Sequence, residues 1–286
     1  MIEMHEYRDI VERTLQELYF AEGPEDELCQ AMRYSLLAGG KRLRGMLVLA
    51  ACHMAGGDVQ SVRPFAAAIE MIHAYSLIHD DLPAMDNDTM RRGKPTCHIA
   101  YSEATAILAG DGLLTDAFWM MSQVENARTM AALREVALAA GSFGMVGGQA
   151  LDMRRGAPYT GLNAVRAIHK KKTGCLITAS VVAGLLLAGA SDEEVEAGKS
   201  YGHHLGVAFQ IIDDLLDLTG DEATLGKHAG KDLADDKMTW PAIVGIDGAR
   251  IAAREETEAA LQALEIFGDK AECLRQVARD MLERVC

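Results

Sequence analysis

The sequence predicts an all-α protein folded as one domain, residues 1–286. Hydrophobic residues make up 49% of the chain and aromatic residues only 5%, and the richness in Ala, Leu and Met is typical of packed helices. Apolar residues recur at helical intervals along most of the chain. No alternating apolar–polar run is long enough to predict a strand.

Glycine and proline divide these periodic stretches into ten or more helices. A Gly-Pro pair at 23–24 and Gly-Gly pairs at 39–40 and 56–57 separate the first four. Pro83 disturbs the end of the fourth, because the residue before a proline avoids the helical region. No repeat, low-complexity tract or linker divides the chain. The predicted helices are residues 4–18, 25–37, 43–55, 62–81, 99–123, 128–146, 162–189, 192–218, 239–246, 249–264 and 269–284.

The chain is acidic, with a formal net charge of −14. This balance argues against nucleic acid as a partner, because phosphate backbones reward Lys and Arg. A diphosphate substrate would need bridging cations and a few locally placed basic residues. The six cysteines are scattered without metal-ligand spacing, which predicts reduced thiols and a cytoplasmic protein. No secretory signal is predicted in the first twelve residues.

One uncharged stretch approaches the length of a bilayer span. Residues 173–191 contain no charged side chain, but they include three glycines and hydroxyl-bearing residues and follow three consecutive lysines. The stretch is also isolated. We expect a buried helix of the core and no stable membrane insertion.

Two aspartate clusters carry the strongest chemical signal. In the first, residues 79–88 place four carboxylates within nine positions: Asp80, Asp81, Asp86 and Asp88. In the second, Asp213 and Asp217 share one helical face, with Asp214 beside them. Because apolar residues flank the second cluster, its carboxylates lose solvation and repel one another, which cations would relieve.

Magnesium suits such clusters, because it prefers oxygen ligands and bridges carboxylates to substrate phosphates. The alternative for either cluster alone is a solvated acidic helix face. Two clusters, each flanked by an apolar helix, favour the metal-binding interpretation.

Basic residues stand where a diphosphate would need them. Residues 39–44 (Gly-Gly-Lys-Arg-Leu-Arg) bring three cations to a helix start, a position that favours anions. Residues 91–94 (Arg-Arg-Gly-Lys) follow the first aspartate cluster, three lysines occupy 170–172, and Lys227 follows the second cluster.

Two histidines precede the first cluster. His73 lies about two turns before Asp80 on nearly the same helical face; a buried histidine that only satisfies its own hydrogen bonds is the alternative. The position of His79 directs it to a different face, and it is given no role.

With these motifs the sequence resembles the trans-prenyl diphosphate synthases of the polyprenyl synthetase family, in particular bacterial farnesyl diphosphate synthases. The resemblance runs from residues 39–44 to at least residues 240–242. Residues 80–86 resemble the first aspartate-rich motif of the family, and residues 213–217 the second. The resemblance implies an all-α bundle around a deep central cavity, usually a homodimer, which joins isopentenyl diphosphate to an allylic diphosphate.

The resemblance also implies roles for individual residues. About three Mg²⁺ ions would be held by Asp80, Asp86 and Asp213, supported directly or through water by Asp81, Asp214 and Asp217. The allylic diphosphate would contact Arg91, Lys172 and Lys227, with Lys237 as an addition. Isopentenyl diphosphate would contact Lys41, Arg44, His73 and Arg92. Thr173 and Gln210 would line the reacting carbons, and Gln149 and Asp152 would support the site. The catalytic residues implied are Asp80, Asp86, Asp213, Lys172, Thr173 and Gln210.

In the implied reaction the allylic carbon–oxygen bond breaks, isopentenyl diphosphate attacks the carbocation, and the diphosphate takes the lost proton. In the family, the residues five and four places before the first aspartate, here Tyr75 and Ser76, help to set the depth of the cavity. The bulky Tyr75 predicts a fifteen-carbon product, farnesyl diphosphate. The alternative is that Tyr75 is ordinary core packing and the floor lies at Met71 or Ile72, which leaves geranylgeranyl diphosphate open.

Other classes fit less well. A terpene cyclase should lack a second diphosphate site, whereas Lys41, Arg44 and His73 predict one. A metal-dependent phosphohydrolase needs further histidine ligands in a pattern that the sequence does not contain. A non-catalytic partner subunit has no need for two intact aspartate clusters. Residues 282–286 lack the basic tail that often helps to close the site in relatives, which implies weaker closure or closure by another segment.

Overall fold

The computed structural model describes residues 4–18, 26–153, 160–219 and 238–285. Over these residues the all-α prediction and the expectation of ten or more helices are confirmed. The helices are α1 (Met4–Gln16), α2 (Asp26–Leu36), α3 (Leu43–Met54), α4 (Val59–Asp80), α5 (Cys97–Ala100), α6 (Glu103–Ser122), α7 (Thr129–Ala140), α8 (Met145–Asp152), α9 (Leu162–Ile168), α10 (Cys175–Leu187), α11 (Asp192–Thr219), α12 (Trp240–Ala263) and α13 (Glu272–Leu282).

Two predicted helices are each divided in two. The stretch 99–123 becomes α5 and α6, because Ser102 is extended and its hydroxyl accepts the backbone N–H of Thr105 at 3.0 Å, which begins a new helix. The stretch 128–146 becomes α7 and α8. Around Gly144 the chain folds back so tightly that a Cβ there would lie 2.0 Å from the carbonyl oxygen of Ala139.

The predicted helix 162–189 is interrupted by a π-helical turn, His169–Gly174, between α9 and α10. Conversely, the predicted helices 239–246 and 249–264 form one element, α12, with a kink at Gly245 (φ 78°). The last predicted helix begins later, because a 3₁₀ turn (Glu265–Ala271) precedes α13.

A short strand pair escaped prediction. Strands β1 (Met90–Arg91) and β2 (Lys94–Pro95) pair in antiparallel orientation, and Arg92 (φ 52°) and Gly93 (φ 73°) form the turn between them. Positive φ at both central residues is the geometry of the tightest hairpin turns. Two residues per strand leave no alternating pattern in the sequence to detect.

Most of the uncharged stretch 173–191 forms α10, which packs against α3, α7 and α11, with most of its side chains buried. The expected core helix is therefore confirmed. A different stretch, residues 129–152, is long and apolar enough to cross a membrane by composition, with a mean hydropathy of 1.2 and a third of it buried. It is α7 and α8 with the bend at Gly141–Gly144 between them.

Candidate active site

The first aspartate cluster lies where α4 ends. Asp80 is the last residue of α4, and its carbonyl accepts the backbone N–H of Asp86 at 2.8 Å. The carbonyl of Asp81 accepts the N–H of Asp88 at 3.1 Å. Asn87, with a φ of 51°, completes the turn. The folded turn thus gathers these carboxylates at one helix end.

Asp80 is the most perturbed of these carboxylates. Burial raises the pKa of Asp80 to about 6; the ammonium of Lys172 opposes the rise, and Asp86 adds to it. The charged form of Asp80 is therefore short of compensating positive charge. A bound cation would supply that charge and hold the carboxylate ionised.

Asp81 has a different environment from Asp80. Arg91 donates two hydrogen bonds from Nε, at 2.9 and 3.0 Å, and one from a terminal nitrogen at 2.7 Å, so both carboxylate oxygens of Asp81 are engaged. Burial raises the pKa of Asp81, and the bonds from Arg91 oppose that rise. In this conformation Asp81 anchors Arg91 beside the cluster.

The hairpin of β1 and β2 positions the next arginine. The guanidinium of Arg92 donates to the carbonyl of Gly39. A Cβ at Gly40 would lie 2.7 Å from that guanidinium, and the positive φ of 125° at this position favours glycine. The glycine pair and the hairpin thus hold each other in place.

The second aspartate cluster lies on α11. Asp214 is buried, and one of its oxygens accepts the backbone N–H of Trp240 at 2.9 Å and lies 3.3 Å from Nε2 of His169. Its other oxygen accepts the amide of Gln210 at 3.2 Å. Asp214 therefore fastens α11 to α12 and to the π turn. Asp213 instead lines three adjoining cavities.

The π turn presents Lys172 and Thr173. It is held between α8 and α11 by glycines: a Cβ at Gly148 would lie 2.2 Å from the backbone nitrogen of Lys172, and one at Gly206 would lie 2.6 Å from Cα of Gly174. π turns inside helices are frequent at functional sites. The side chain of Lys172 donates to Asp152 at 2.7 Å, and the hydroxyl of Thr173 donates to Oε1 of Gln210 at 2.8 Å.

Three adjoining cavities meet at these residues. The apolar cavity, of about 690 Å³, runs from Asp80, Lys172 and Asp213 to Tyr75, Met145 and Met153. The carboxylate cavity, of about 300 Å³, is lined by Asp80, Asp86, Asp152, Lys172 and Asp213. The basic pocket, of about 530 Å³, is lined by Lys41, Arg44, His73, Arg92 and Arg284, with Asp213 at its edge.

In the basic pocket, cations crowd together. Burial lowers the pKa of Arg44, whose Nε has no hydrogen-bond partner. Burial, and then Arg44 and the neighbouring arginines, lower the pKa of His73 well below its usual range. Burial and then Arg284 lower the pKa of Lys41. A polyanion would relieve this repulsion and satisfy the unpaired donor.

Arg42, the remaining cation of residues 39–44, has a structural role. Arg42 is buried in a left-handed conformation (φ 52°) and donates to Glu12 at 2.8 Å and to the carbonyl of Leu36 at 2.8 Å. It also lies 3.9 Å from Glu70. These contacts tie α1, α2 and α4 together at the entrance to α3.

Tyr75 and Ser76 both line the apolar cavity. Tyr75 is buried, and burial, followed by the charge of Asp80, raises the pKa of its phenol to about 12. The hydroxyl of Ser76 donates to the carbonyl of His73 at 2.9 Å. The phenol of Tyr75 is thus a neutral, bulky wall at physiological pH.

Several lining residues escaped the sequence reasoning. His79 also lines the apolar cavity; its spacing of four from Tyr75 could have revealed this. Arg284 lies 3.8 Å from Asp213, so the last described residues do bring one basic side chain to the site. His169 holds Asp214, which no local pattern signals. Lys227 and Lys237 lie outside the described residues.

The donors present fit magnesium. Carboxylates from α4 and α11 line one cavity, and Mg²⁺ prefers oxygen ligands and is commonly held by one or two carboxylates together with substrate phosphates. Within the described ranges, no three acidic, histidine or cysteine side chains are close enough to hold a metal ion by themselves. This spacing fits ions that also take ligands from a bound phosphate.

Comparisons with known proteins agree with this geometry. The sequence matches the polyprenyl synthetase family over residues 25–281. It is 45% identical to a farnesyl diphosphate synthase of Bacillus subtilis over 79% of this chain and 78% of that protein. It is 43% identical to a geranylgeranyl diphosphate synthase of Cyanophora paradoxa over 98% of this chain and 95% of that protein. An FPP/GFPP synthase structure from Zymomonas mobilis superposes with a TM-score of 0.87 at 34% identity, covering 98% and 97% of the two chains.

Proposed function

Because this chain belongs to the polyprenyl synthetase family of trans-prenyltransferases, we propose that it makes farnesyl diphosphate by magnesium-dependent condensation of isopentenyl diphosphate with dimethylallyl or geranyl diphosphate. The observation that carries the proposal is the junction at Asp213. There a carboxylate cavity, a basic pocket and a long apolar cavity meet. Two diphosphates and one prenyl chain need these three environments side by side.

Asp80, Asp86 and Asp213 would hold magnesium, with Asp217 in support. Bound there, magnesium supplies positive charge to the diphosphate that leaves the allylic carbon. Asp81 and Asp214 act by holding Arg91 and the π turn rather than as direct metal ligands.

Binding of the allylic diphosphate falls to Arg91 and Lys172, which line the carboxylate cavity. Their charges stabilise the diphosphate as it departs; Lys227 is a further proposed contact. Lys41, Arg44, His73 and Arg92 bind isopentenyl diphosphate in the basic pocket, and its double bond points towards Gln210. Holding both reactants at this junction removes much of the entropic cost of their encounter.

The carbocation forms beside Thr173 and Gln210. Their oxygens present the negative ends of fixed dipoles, and the apolar cavity excludes water that would otherwise capture the cation. Isopentenyl diphosphate attacks through its double bond, and the proton lost from the new cation passes to the departed diphosphate. No protein base is therefore required.

A fifteen-carbon product is proposed because Tyr75 occupies the wall of the apolar cavity. Geranylgeranyl diphosphate is the second candidate, since relatives of both names align over most of this chain. The two products differ by one five-carbon unit, so the length of the product discriminates between them.

We also propose that the protein is a homodimer. Large apolar side chains are exposed on α6, on α7 and in the turn before α8: Leu108, Trp119, Met130, Leu138 and Phe143. Exposed apolar side chains of this size, concentrated on consecutive elements, are what an interface between two copies would cover. A cytoplasmic location is proposed with it, because Cys52, Cys97, Cys175 and Cys273 are free thiols.

The test is a product-length assay. Purified protein is incubated with isopentenyl diphosphate and each allylic starter, with magnesium or with a chelator, and the products are sized by mass spectrometry. The expected result is a magnesium-dependent fifteen-carbon product. A twenty-carbon product would support the mechanism but show that Tyr75 is not the floor of the cavity. Folded protein that condenses no starter would favour a non-catalytic subunit.

A further inference from the structure

His79 forms a wall of the apolar cavity together with Tyr75. It lies one turn further along α4, and the two rings meet edge to face, with centroids 5.8 Å apart and an interplanar angle of 81°. Both side chains line the cavity. The two rings therefore form one continuous aromatic surface.

Two residues of α6 fix the position of His79. Its Nε2 lies 3.0 Å from the carbonyl oxygen of Ile107, and since a carbonyl only accepts, Nε2 carries the proton. At Gly110, a Cβ would lie 2.1 Å from the same nitrogen. The imidazole thus occupies the space left by the missing side chain, and only glycine at 110 admits it.

We propose that His79, seated on Gly110, is a specificity-determining residue that sets the length of the product together with Tyr75. The inference rests on the proposed function, in which the apolar cavity receives the growing chain. Rotation of the Tyr75 ring towards α6 is blocked by an imidazole that is itself hydrogen-bonded and packed. Without the imidazole, the space above Gly110 joins the cavity, and Tyr75 has room to turn aside.

The alternative is that His79 only joins α4 to α6. Removal would then lower stability without changing which product forms. The chain offers a matched control, because Tyr7 and His53 form another edge-to-face pair, with centroids 6.2 Å apart and a hydrogen bond of 2.6 Å, away from the cavities described above. Loss of His53 therefore removes a similar contact at a place where the prenyl chain does not reach.

The experiment compares wild type, His79→Ala, His53→Ala and Tyr75→Ala, each incubated with geranyl and isopentenyl diphosphates. The ratio of twenty-carbon to fifteen-carbon product is measured by mass spectrometry. We expect His79→Ala and Tyr75→Ala to raise this ratio about tenfold, the scale at which the walls of a pocket discriminate between chain lengths. His53→Ala should leave the ratio unchanged.

A second variant tests the contact between the imidazole and Gly110 while keeping His79. Gly110→Ala places a methyl group where Nε2 lies and displaces the ring towards the cavity. We expect a lower kcat/KM for the ten-carbon starter relative to the five-carbon starter. The double variant His79→Ala/Gly110→Ala has no ring to displace and should recover the ten-carbon starter. The Gly110→Ala readout keeps His79 in place, so it holds even where variants without the imidazole fold poorly.

An unchanged product ratio in His79→Ala, alongside a raised ratio in Tyr75→Ala, would overturn the inference. So would an equal rise in His53→Ala, because the effect would then be general loosening. Because Asp80 is the next residue, the magnesium dependence of the rate is followed in parallel; a change there without a change in ratio also counts against the inference. A wild type that makes no prenyl product refutes the proposed function instead.

Discussion

Lys172 donates a hydrogen bond to the carboxylate of Asp152 at 2.7 Å, which joins the π turn to the end of α8. Both residues also line the carboxylate cavity. Asp152 therefore aims the ammonium of Lys172 at the place where a diphosphate would bind. The pair is partly buried, so its geometry is better defined than that of a surface ion pair.

Replacing Lys172 by Ala should lower kcat about 100- to 1,000-fold, the usual effect of losing one donor to a developing anion. Asp152→Asn should cost less, because the lysine remains but is less well aimed. Steady-state rates with geranyl diphosphate check both. Lys171→Ala is the control, since Lys171 reaches the carbonyl of Phe143 instead, at 3.3 Å. Equal losses in Lys171→Ala and Lys172→Ala would contradict the assignment.

Substitution by Asn should affect stability at Asp214 and magnesium dependence at its neighbour Asp213. Asp214→Asn disturbs bonds to Trp240, His169 and Gln210, so it should lower the free energy of unfolding by about 1–3 kcal/mol. Asp213→Asn should raise the magnesium concentration at half-maximal rate and leave the melting temperature nearly unchanged. Thermal melts and magnesium titrations distinguish the two. A large loss of stability in Asp213→Asn would show that its role is misassigned.

Asp80 should destabilise the metal-free protein at neutral pH. Burial raises its pKa from 3.8 to about 6, so the native state binds this proton more tightly than the unfolded chain does. The penalty is full above the native pKa and disappears as the pH falls below about 4. In chelator near pH 7.5, Asp80→Asn should therefore melt about 2–4 °C above wild type. The difference should narrow near pH 5.

The control for that measurement is Asp247→Asn, whose carboxylate is 95% exposed; its melting temperature should follow wild type at both pH values. Adding magnesium with inorganic diphosphate should stabilise wild type more than Asp80→Asn. A melting temperature for Asp80→Asn below that of wild type in chelator would contradict the assigned cause, since burial of the charge would then not be the dominant effect.

Much of this architecture is local and could be predicted. Helical spacing and glycine or proline pairs located the long helices, because these signals act within a few residues. The breaks at Ser102 and near Gly144 were not predicted, since a turn inside an apolar stretch depends on its packing. The π turn was missed for the same reason: glycines at 148 and 206 admit it from other helices.

The site shows the same boundary between local and tertiary information. The sequence placed aspartates and cations on the right elements. It could not show that Arg42 and Asp214 are structural whereas Arg44 and Asp213 face the site. Arg42 turns inward because its backbone is left-handed and carboxylates of α1 and α4 receive it. Asp214 turns inward because Trp240 and His169 arrive from distant segments. Identical residues one or two positions apart gain different roles only from such partners.

Arg284 provides the last prediction. Its guanidinium lines the basic pocket beside Lys41 and lies 3.8 Å from Asp213. Its side chain is 34% exposed, so its contribution to binding should be modest, about 1 kcal/mol. Arg284→Ala should raise the KM for isopentenyl diphosphate about fivefold and leave kcat nearly unchanged, because this contact is equal in ground and transition states.

Initial rates at varied isopentenyl diphosphate check this prediction. Arg279→Ala is the matched control, because Arg279 lies on α13, shortly before Arg284, and pairs with Glu272 at 2.7 Å; its KM should equal that of wild type. A rise in the KM for geranyl diphosphate instead would mean that Arg284 acts through Asp213 on the allylic site. An unchanged KM for both substrates would remove Arg284 from the binding site, and the basic pocket would then depend on Lys41, Arg44 and Arg92.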